Sequence, residues 1–278
     1  MINVNGKLYS SYNNIPSNII EPFFVRPVFE FKLRWENNNI LFWERHYFMM
    51  MAQLRRLKLN IPMSFTLEYF IQEIEKVINK YDDKFFIIDL KFAYESRITF
   101  QNLQPNLLIA IIAKPTESII KDDVTLISEM SLFKDYNLSE QKFTSISYLQ
   151  KDIKRIAAVE AFENKCNDNI ILNDKKNVIG SVLGNVFLLK NDKIISSPEN
   201  IGTQSSVLSN LFIKYIKNNN FEFSSESFGS FELQIADELA VLSIQAGLNP
   251  VCKYRNKTYK TKLLHKLFQS FINQALSR

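Results

Sequence analysis

Glycine is scarce in this chain, with 6 in 278 residues, so few backbone positions are free to approach a bound phosphate without a side chain in the way. Ser and Asn fill the loops instead. Histidine and cysteine are scarcer still, at 2 each. His46 and His265 have no second histidine or cysteine at metal-ligand spacing, which excludes a zinc site, and no bound metal is expected. Cys166 and Cys252 lie far apart and match no disulfide framework, so both are read as ordinary small residues. No apolar run reaches the length that spans a membrane, and the opening MINVNGKLYSSYNN lacks the basic start and apolar core of a signal peptide. These absences point to a soluble cytoplasmic protein without a membrane partner. No nucleophile-elbow motif orders Ser, His and Asp into a hydrolase.

What the chain does contain is a large apolar fraction, 46%, enough to bury one large or two smaller cores at this length. The net charge of +5 is scattered, apart from a basic run at Lys253, Arg255, Lys257, Lys260, Lys262 and Lys266. That run mixes with Leu263, Leu264, Phe268 and Phe271 at helical spacing, so it reads as the solvated face of a closing helix, and no nucleic-acid partner is expected.

Periodicity then divides the chain. Residues 22–35 are aromatic and branched like a long strand, and Asn37-Asn38-Asn39 turns it back into residues 40–43 as a hairpin. A helix over 44–58, with His46 packed or capping, and a second after Pro62, capped by Ser64 or Thr66, carry Met50, Leu54, Phe70 and Ile74 inward. Residues 85–92 and 107–113 read as buried strands, and the polar stretch over 114–123 as the domain boundary. In the second half, 150–164 is a helix with Ile153, Ile156, Ala157 and Ala161 as its packed stripe, and 203–217 is another. Residues 169–173 and 177–190 are strands split by a turn at 174–176; short strands near 222–224, 239–243 and 250–254 precede the last helix. The result is an α+β protein with a small N-terminal domain over 1–114, a linker over 115–123 and a larger domain over 124–278.

Across nearly the whole length, particular phrases recur in a particular order. They are INVNGKL at the start, VFEF at Val28, ILFWERHYF at Ile40 and LKLNIP at Leu57, followed by GNVFLLKNDKI, the SSP at Ser196, ADEL at Ala236 and GLNPV at Gly247. In order and spacing the chain resembles the class IV aminotransferases, the pyridoxal-phosphate proteins of fold type IV that include branched-chain and D-amino acid aminotransferases and aminodeoxychorismate lyase. The resemblance implies a small α/β domain, an interdomain loop, a larger pseudo-barrel domain, and a homodimer with a small-molecule cleft between the domains. It implies too that Asp237-Glu238 is structural, at the entry to a barrel strand.

The same resemblance says where the chemistry should be. The Schiff-base lysine should fall within Thr144-Ser145-Ile146-Ser147, where there is none; Lys142 and Lys151 lie just outside as the backup candidates. The acid facing the ring nitrogen should stand five residues before Asn185, at Gly180, and the phosphate arginine three residues after His46, at Met49. A second arginine is replaced by Ser209 or a neighbour, and a Gly-Asp pair by Val25, Arg26 and Pro27. Without a lysine the covalent step of transamination is lost, and without the acid the electron sink weakens. Phosphate binding suffers less, since backbone N–H groups at 205–208 can still meet an anion, whereas a missing arginine costs about 1.5–3 kcal/mol.

The sequence therefore implies a degenerate class IV scaffold, a binding or regulatory dimer expected to carry no cofactor. Glu30, Tyr148, Ser206, Val207 and Ser243 are the residues expected around any surviving cleft pocket. The alternative is an active aminotransferase or lyase that uses pyridoxal phosphate through a displaced lysine. A cofactor-free enzyme reusing the cleft is a third reading, for which no nucleophile stands out.

Overall fold

A computed structural model describes residues 1–25, 27–96, 98–120, 125–135 and 137–276. The chain forms two compact units, residues 1–118 and 119–278. The first opens with β1 (Ile2–Val4), β2 (Lys7–Tyr9), α1 (Ser17–Val25), β3 (Pro27–Glu36) and β4 (Asn39–Ile40). It continues with α2 (Trp43–Arg56), α3 (Leu67–Ile78), β5 (Phe85–Tyr94) and β6 (Leu107–Pro115). Its strands make one sheet in the order β2-β1-β6-β5-β3-β4, antiparallel throughout.

Both faces of that sheet are covered, which is why β5 and β6 read as near-continuous apolar runs. On one face Ile19, Ile20 and Phe23 of α1 pack with Ala93, Ala110 and Ile112. On the other, Phe92 meets Phe65, and Phe65 meets Phe70 of α3 edge-on at 5.2 Å. Phe70, Ile74 and Val77 are wholly buried, and each contributes about 1.5–3 kcal/mol by leaving water. Thr66 caps α3, its Oγ1 accepting from Tyr69 N at 3.2 Å.

The strand expected from residue 22 begins only at Pro27. Residues 17–25 are helical with Pro22 inside, because their apolar side chains fit the face of β5 and tertiary packing overrides β propensity. Likewise β4 stops at Ile40, and Trp43 already opens α2.

The second unit runs β7 (Met130–Leu132), α4 (Lys151–Glu163), β8 (Asp168–Leu172), β9 (Val178–Ser181), β10 (Asn185–Lys190) and β11 (Lys193–Ser196). There follow α5 (Val207–Asn218), β12 (Phe223–Ser225), α6 (Ser230–Ile235), β13 (Glu238–Ser243) and β14 (Gly247–Pro250). It closes with β15 (Lys253–Tyr254), β16 (Lys257–Thr258) and α7 (Leu263–Leu276). Two five-stranded sheets, β12-β11-β10-β13-β14 and β16-β15-β7-β8-β9, share a core in which Ile170 and Val178 of one meet Leu188 and Val241 of the other.

The expected strand over 177–190 is thus two strands hinged at 182–184, and that over 250–254 divides between β14 and β15. The basic run also departs from the sequence reading. Lys253, Arg255 and Lys257 stand on or between β15 and β16, and Lys266 alone of the run lies within α7. Of the expected linker, Pro115 ends β6 and residues 121–123 lie outside the described residues. Among the described residues no helix is long and apolar enough to cross a membrane.

Candidate functional site

In the second unit the polar groups gather where β8, the β9–β10 hairpin and the first residues of α4 and α5 meet. Asp168, at the start of β8, is buried, and its Oδ1 accepts from the backbone N–H of Asn169 at 2.8 Å and Val182 at 3.0 Å. This pins the β9–β10 connection. Its Oδ2 is buried without a hydrogen-bond partner, and burial pushes the carboxyl up to about 6. Lys154, in the first turn of α4, places its Nζ 2.5 Å from Gln204 Oε1. Burial brings this amine down to about 8, against the opposing pull of Asp168. Asn185 opens β10 and donates from Nδ2 to Gln204 O at 2.9 Å and to Ser209 Oγ at 3.2 Å. One amide thereby ties the hairpin to the head of α5.

The segment before α4 closes on the same place. Ser205 N donates to Ser145 O at 2.9 Å and its Oγ to Ser145 Oγ at 3.2 Å. Gln150, buried, donates from Nε2 to Thr144 O at 2.7 Å and Gly202 O at 2.8 Å. Thr144 turns its hydroxyl to the carbonyls of Gln141, at 2.6 Å, and Ser139, at 3.1 Å. Ile146 is fully buried. The window expected to lack an amine is therefore held by hydroxyl and carbonyl contacts, with the side chain of Ser147 outside the described residues.

Lys142 lies in a short turn whose lysine side chain is also outside the described residues, while Lys151 is exposed, its amine 5.9 Å from the Tyr148 ring centre. Ser206 caps α5 through Oγ, which accepts from Ser209 N at 3.2 Å, and Val207 is its buried first residue. Ser243 accepts from Ala246 N at 3.2 Å to close the β13–β14 turn. It stands one residue beyond Leu242, which pairs with Asn185, so Ser206, Val207 and Ser243 do share one end of this unit with Asn185. Glu30 belongs to β3 of the first unit, where Lys91 stands 3.9 Å away.

Gly180 is the most constrained position of the group. Its φ is +146°, and a Cβ built there would meet Gly184 O at 2.9 Å, inside the tight turn closed by Ser181 N to Gly184 O at 2.8 Å. In the first unit His46 is buried edge-on to Phe31, with ring centres 5.9 Å apart and both ring nitrogens without a hydrogen-bond partner. Burial lowers it to about 4, so it is a neutral packed histidine rather than a cap. Met49, three residues on, is half-buried. Pro27 begins β3, and Arg26 lies outside the described residues. No group of His, Cys, Asp and Glu among the described residues can hold a metal ion.

Reading the sequence missed Lys154 and Asp168. A signal was present: Lys154 precedes Ala157 and Ala161 at spacings of three and seven, which sets it on the buried stripe of α4 rather than the solvated face.

The family model for class IV amino-transferases matches residues 28–254. A search of curated proteins returns no match. Among solved structures, a branched-chain aminotransferase from Thermoproteus uzoniensis with norvaline superposes with a TM-score of 0.81 at 15% identity, over 99% of this chain and 94% of that one. A branched-chain amino acid aminotransferase from Thermobaculum terrenum in its PLP form gives 0.75 at 16%, over 90% and 85%. A candidate 4-amino-4-deoxychorismate lyase from Legionella pneumophila gives 0.80 at 14%, over 94% and 96%. At such identities the superpositions speak for the fold, of type IV, while the family model covers most of the sequence: this chain belongs to the class IV aminotransferase family.

Proposed function

We propose that this protein keeps the class IV scaffold without its coenzyme chemistry and serves as a binding or regulatory homodimer. The observation that carries the reading is Gly180. There the family's position for the ring-nitrogen acid has become a backbone conformation that a side chain rarely adopts, with a carbonyl where the Cβ would go. A carboxylate at that position requires the hairpin itself to move. The lysine position supports the same reading, because Thr144 and Ser145 are committed to local hydrogen bonds and offer no amine. Met49 brings no charge to a phosphate. These residues do not fit pyridoxal phosphate, although the Thermobaculum terrenum relative holds it.

The test is turnover. Purified protein supplied with pyridoxal phosphate should transaminate no branched-chain amino acid and cleave no aminodeoxychorismate, and Lys142→Ala and Lys151→Ala should change nothing. Wild-type turnover that disappears in either variant would restore an active enzyme with a displaced lysine. Analytical ultracentrifugation should give twice the chain mass, and a monomer at micromolar concentration would remove the dimer from the reading.

A further inference from the structure

A cavity of about 470 Å³ opens in the second unit beside β7, large enough for a whole small molecule. It lies at the far end of α4 from Lys154, since Asn164 in its wall is about 15 Å further along the helix axis. Its walls differ in charge. On one side Glu160 and Asn164 close α4, and no basic residue stands in the last turn to offset the negative helix end. The bond from Asn169 Nδ2 to Glu160 Oε1 is long, 3.4 Å, which leaves that carboxylate room for a second donor. On the other side stands Arg255, in the turn between β15 and β16, while Lys134 follows β7. Glu129, also in the wall, is held by Lys253 at 3.0 Å. Among the described residues neither Arg255 nor Lys134, both exposed, has a carboxylate partner, and the Arg255 guanidinium lies 5.3 Å from the Tyr254 ring centre. Asp135 offsets Lys134 beside it, which leaves Arg255 as the uncompensated cation.

The register of the strands sets how far apart the two charges stand. Tyr254, Met130 and Asp168 lie side by side on β15, β7 and β8, a width of two strand spacings or about 10 Å. Arg255 follows Tyr254 at one end, and Glu160 meets Asn169, next to Asp168, at the other. Two extended residues cover about 7 Å, and hydrogen bonds at their ends make up the rest, whereas a single amino acid is too short. Leu132, half-buried, adds an apolar stretch to the wall. We propose that this cavity binds a dipeptide, with its ammonium at Glu160 and the end of α4, its carboxylate on Arg255 and an apolar side chain against Leu132. The site shares no residue with the positions that argue for the loss of coenzyme chemistry, so either reading can fail alone.

The experiment titrates glycyl-leucine into the full-length protein by isothermal calorimetry. Beside it run N-acetylglycyl-leucine, which lacks the ammonium, glycyl-leucinamide, which lacks the carboxylate, and free leucine. Glycyl-leucine should saturate, and each of the other three should bind weaker by about ten-fold or more. Arg255→Gln should weaken glycyl-leucine by about ten-fold and leave glycyl-leucinamide unchanged, while Glu160→Gln should weaken glycyl-leucine and spare the acetylated peptide. Alkylation by iodoacetamide with peptide mapping locates the ligand: glycyl-leucine should slow the reaction of Cys166, which lines the cavity, and not that of Cys252. Should Glu160→Gln fail to fold, Arg255→Gln and the blocked peptides decide the matter. Absence of saturation at millimolar concentration overturns the proposal, as do blocked peptides or leucine that bind as well as glycyl-leucine. So does an Arg255→Gln loss that glycyl-leucinamide shares, or a Cys166 that the dipeptide leaves unprotected. Retention of pyridoxal phosphate bears only on the reading of function.

Discussion

At Gly180 the backbone itself stands against a side chain. The φ of +146° and the carbonyl of Gly184, 2.9 Å from where a Cβ would stand, strain any residue with a side chain, so placing an acid there by substitution should fail in two ways. Gly180→Glu is expected to cost about 1–3 kcal/mol, read as a lower denaturant midpoint, and to leave pyridoxal phosphate unbound. A variant as stable as the wild type that retains the coenzyme would show that the turn is permissive. His46 gives a second residue-scale outcome. Its folded pKa, about 4, lies below the free value of 6.5, so the fold holds the neutral ring. The stabilisation is complete above pH 6.5 and drains away as the pH falls towards 4, by roughly 3 kcal/mol in all. His46→Phe should flatten that part of the stability-against-pH curve; an unchanged acid slope would place the titration elsewhere. At this scale the sequence displayed residue types, and the absence of a lysine from residues 144–147 is visible as letters. It did not display Lys154 or Asp168, because perturbation depends on what other segments bring to a group, and Gln204 is 50 residues from Lys154.

Among the elements, the hairpin at Asn37 was legible, while those at Asn191 and Asn5 went unread though they carry the same signal. Asn37 and Asn38 both take positive φ, as do Asn191 and Asp192 in the β10–β11 turn and Asn5 and Gly6 in the β1–β2 turn. These are the conformations that two-residue hairpins require, and a glycine-poor chain meets them with Asn and Asp. The helix over Ser17–Val25 was hidden, because its aromatic and branched residues carry β propensity and only the face of β5 decides the matter. The Asp237-Glu238 pair shows its use at element scale as well. Glu238 is buried and its carboxylate accepts from the backbone N–H of Lys262, Leu263 and Leu264 at 3.2, 2.9 and 2.9 Å, so it caps α7 across the chain. Asp237 accepts from Asn191 N at 3.1 Å and steadies the β10–β11 turn. Glu238→Ala should lower stability by about 1–3 kcal/mol in denaturant unfolding, with Glu238→Gln recovering part of the loss. Equal losses in the two variants would argue that packing, not hydrogen bonding, holds the helix.

For the whole molecule, the family was readable from weak phrases in a fixed order, since each marks a strand end or turn that the scaffold needs wherever it occurs. ADEL holds the cap of α7, and GNVF opens β10 with the asparagine that ties the hairpin to α5. Whether the whole keeps its chemistry is harder to read than its fold, because a scaffold stands on its filled core whatever its site does. The claim that joins these scales is that the scaffold no longer holds its coenzyme. The direct measurement is to incubate the purified protein with excess pyridoxal phosphate, desalt it without reductant, and record the visible spectrum and native mass of what remains. A colourless protein at the mass of the unmodified chain is the predicted result; a coloured protein carrying one coenzyme per chain, fixed on a lysine by borohydride, would contradict it.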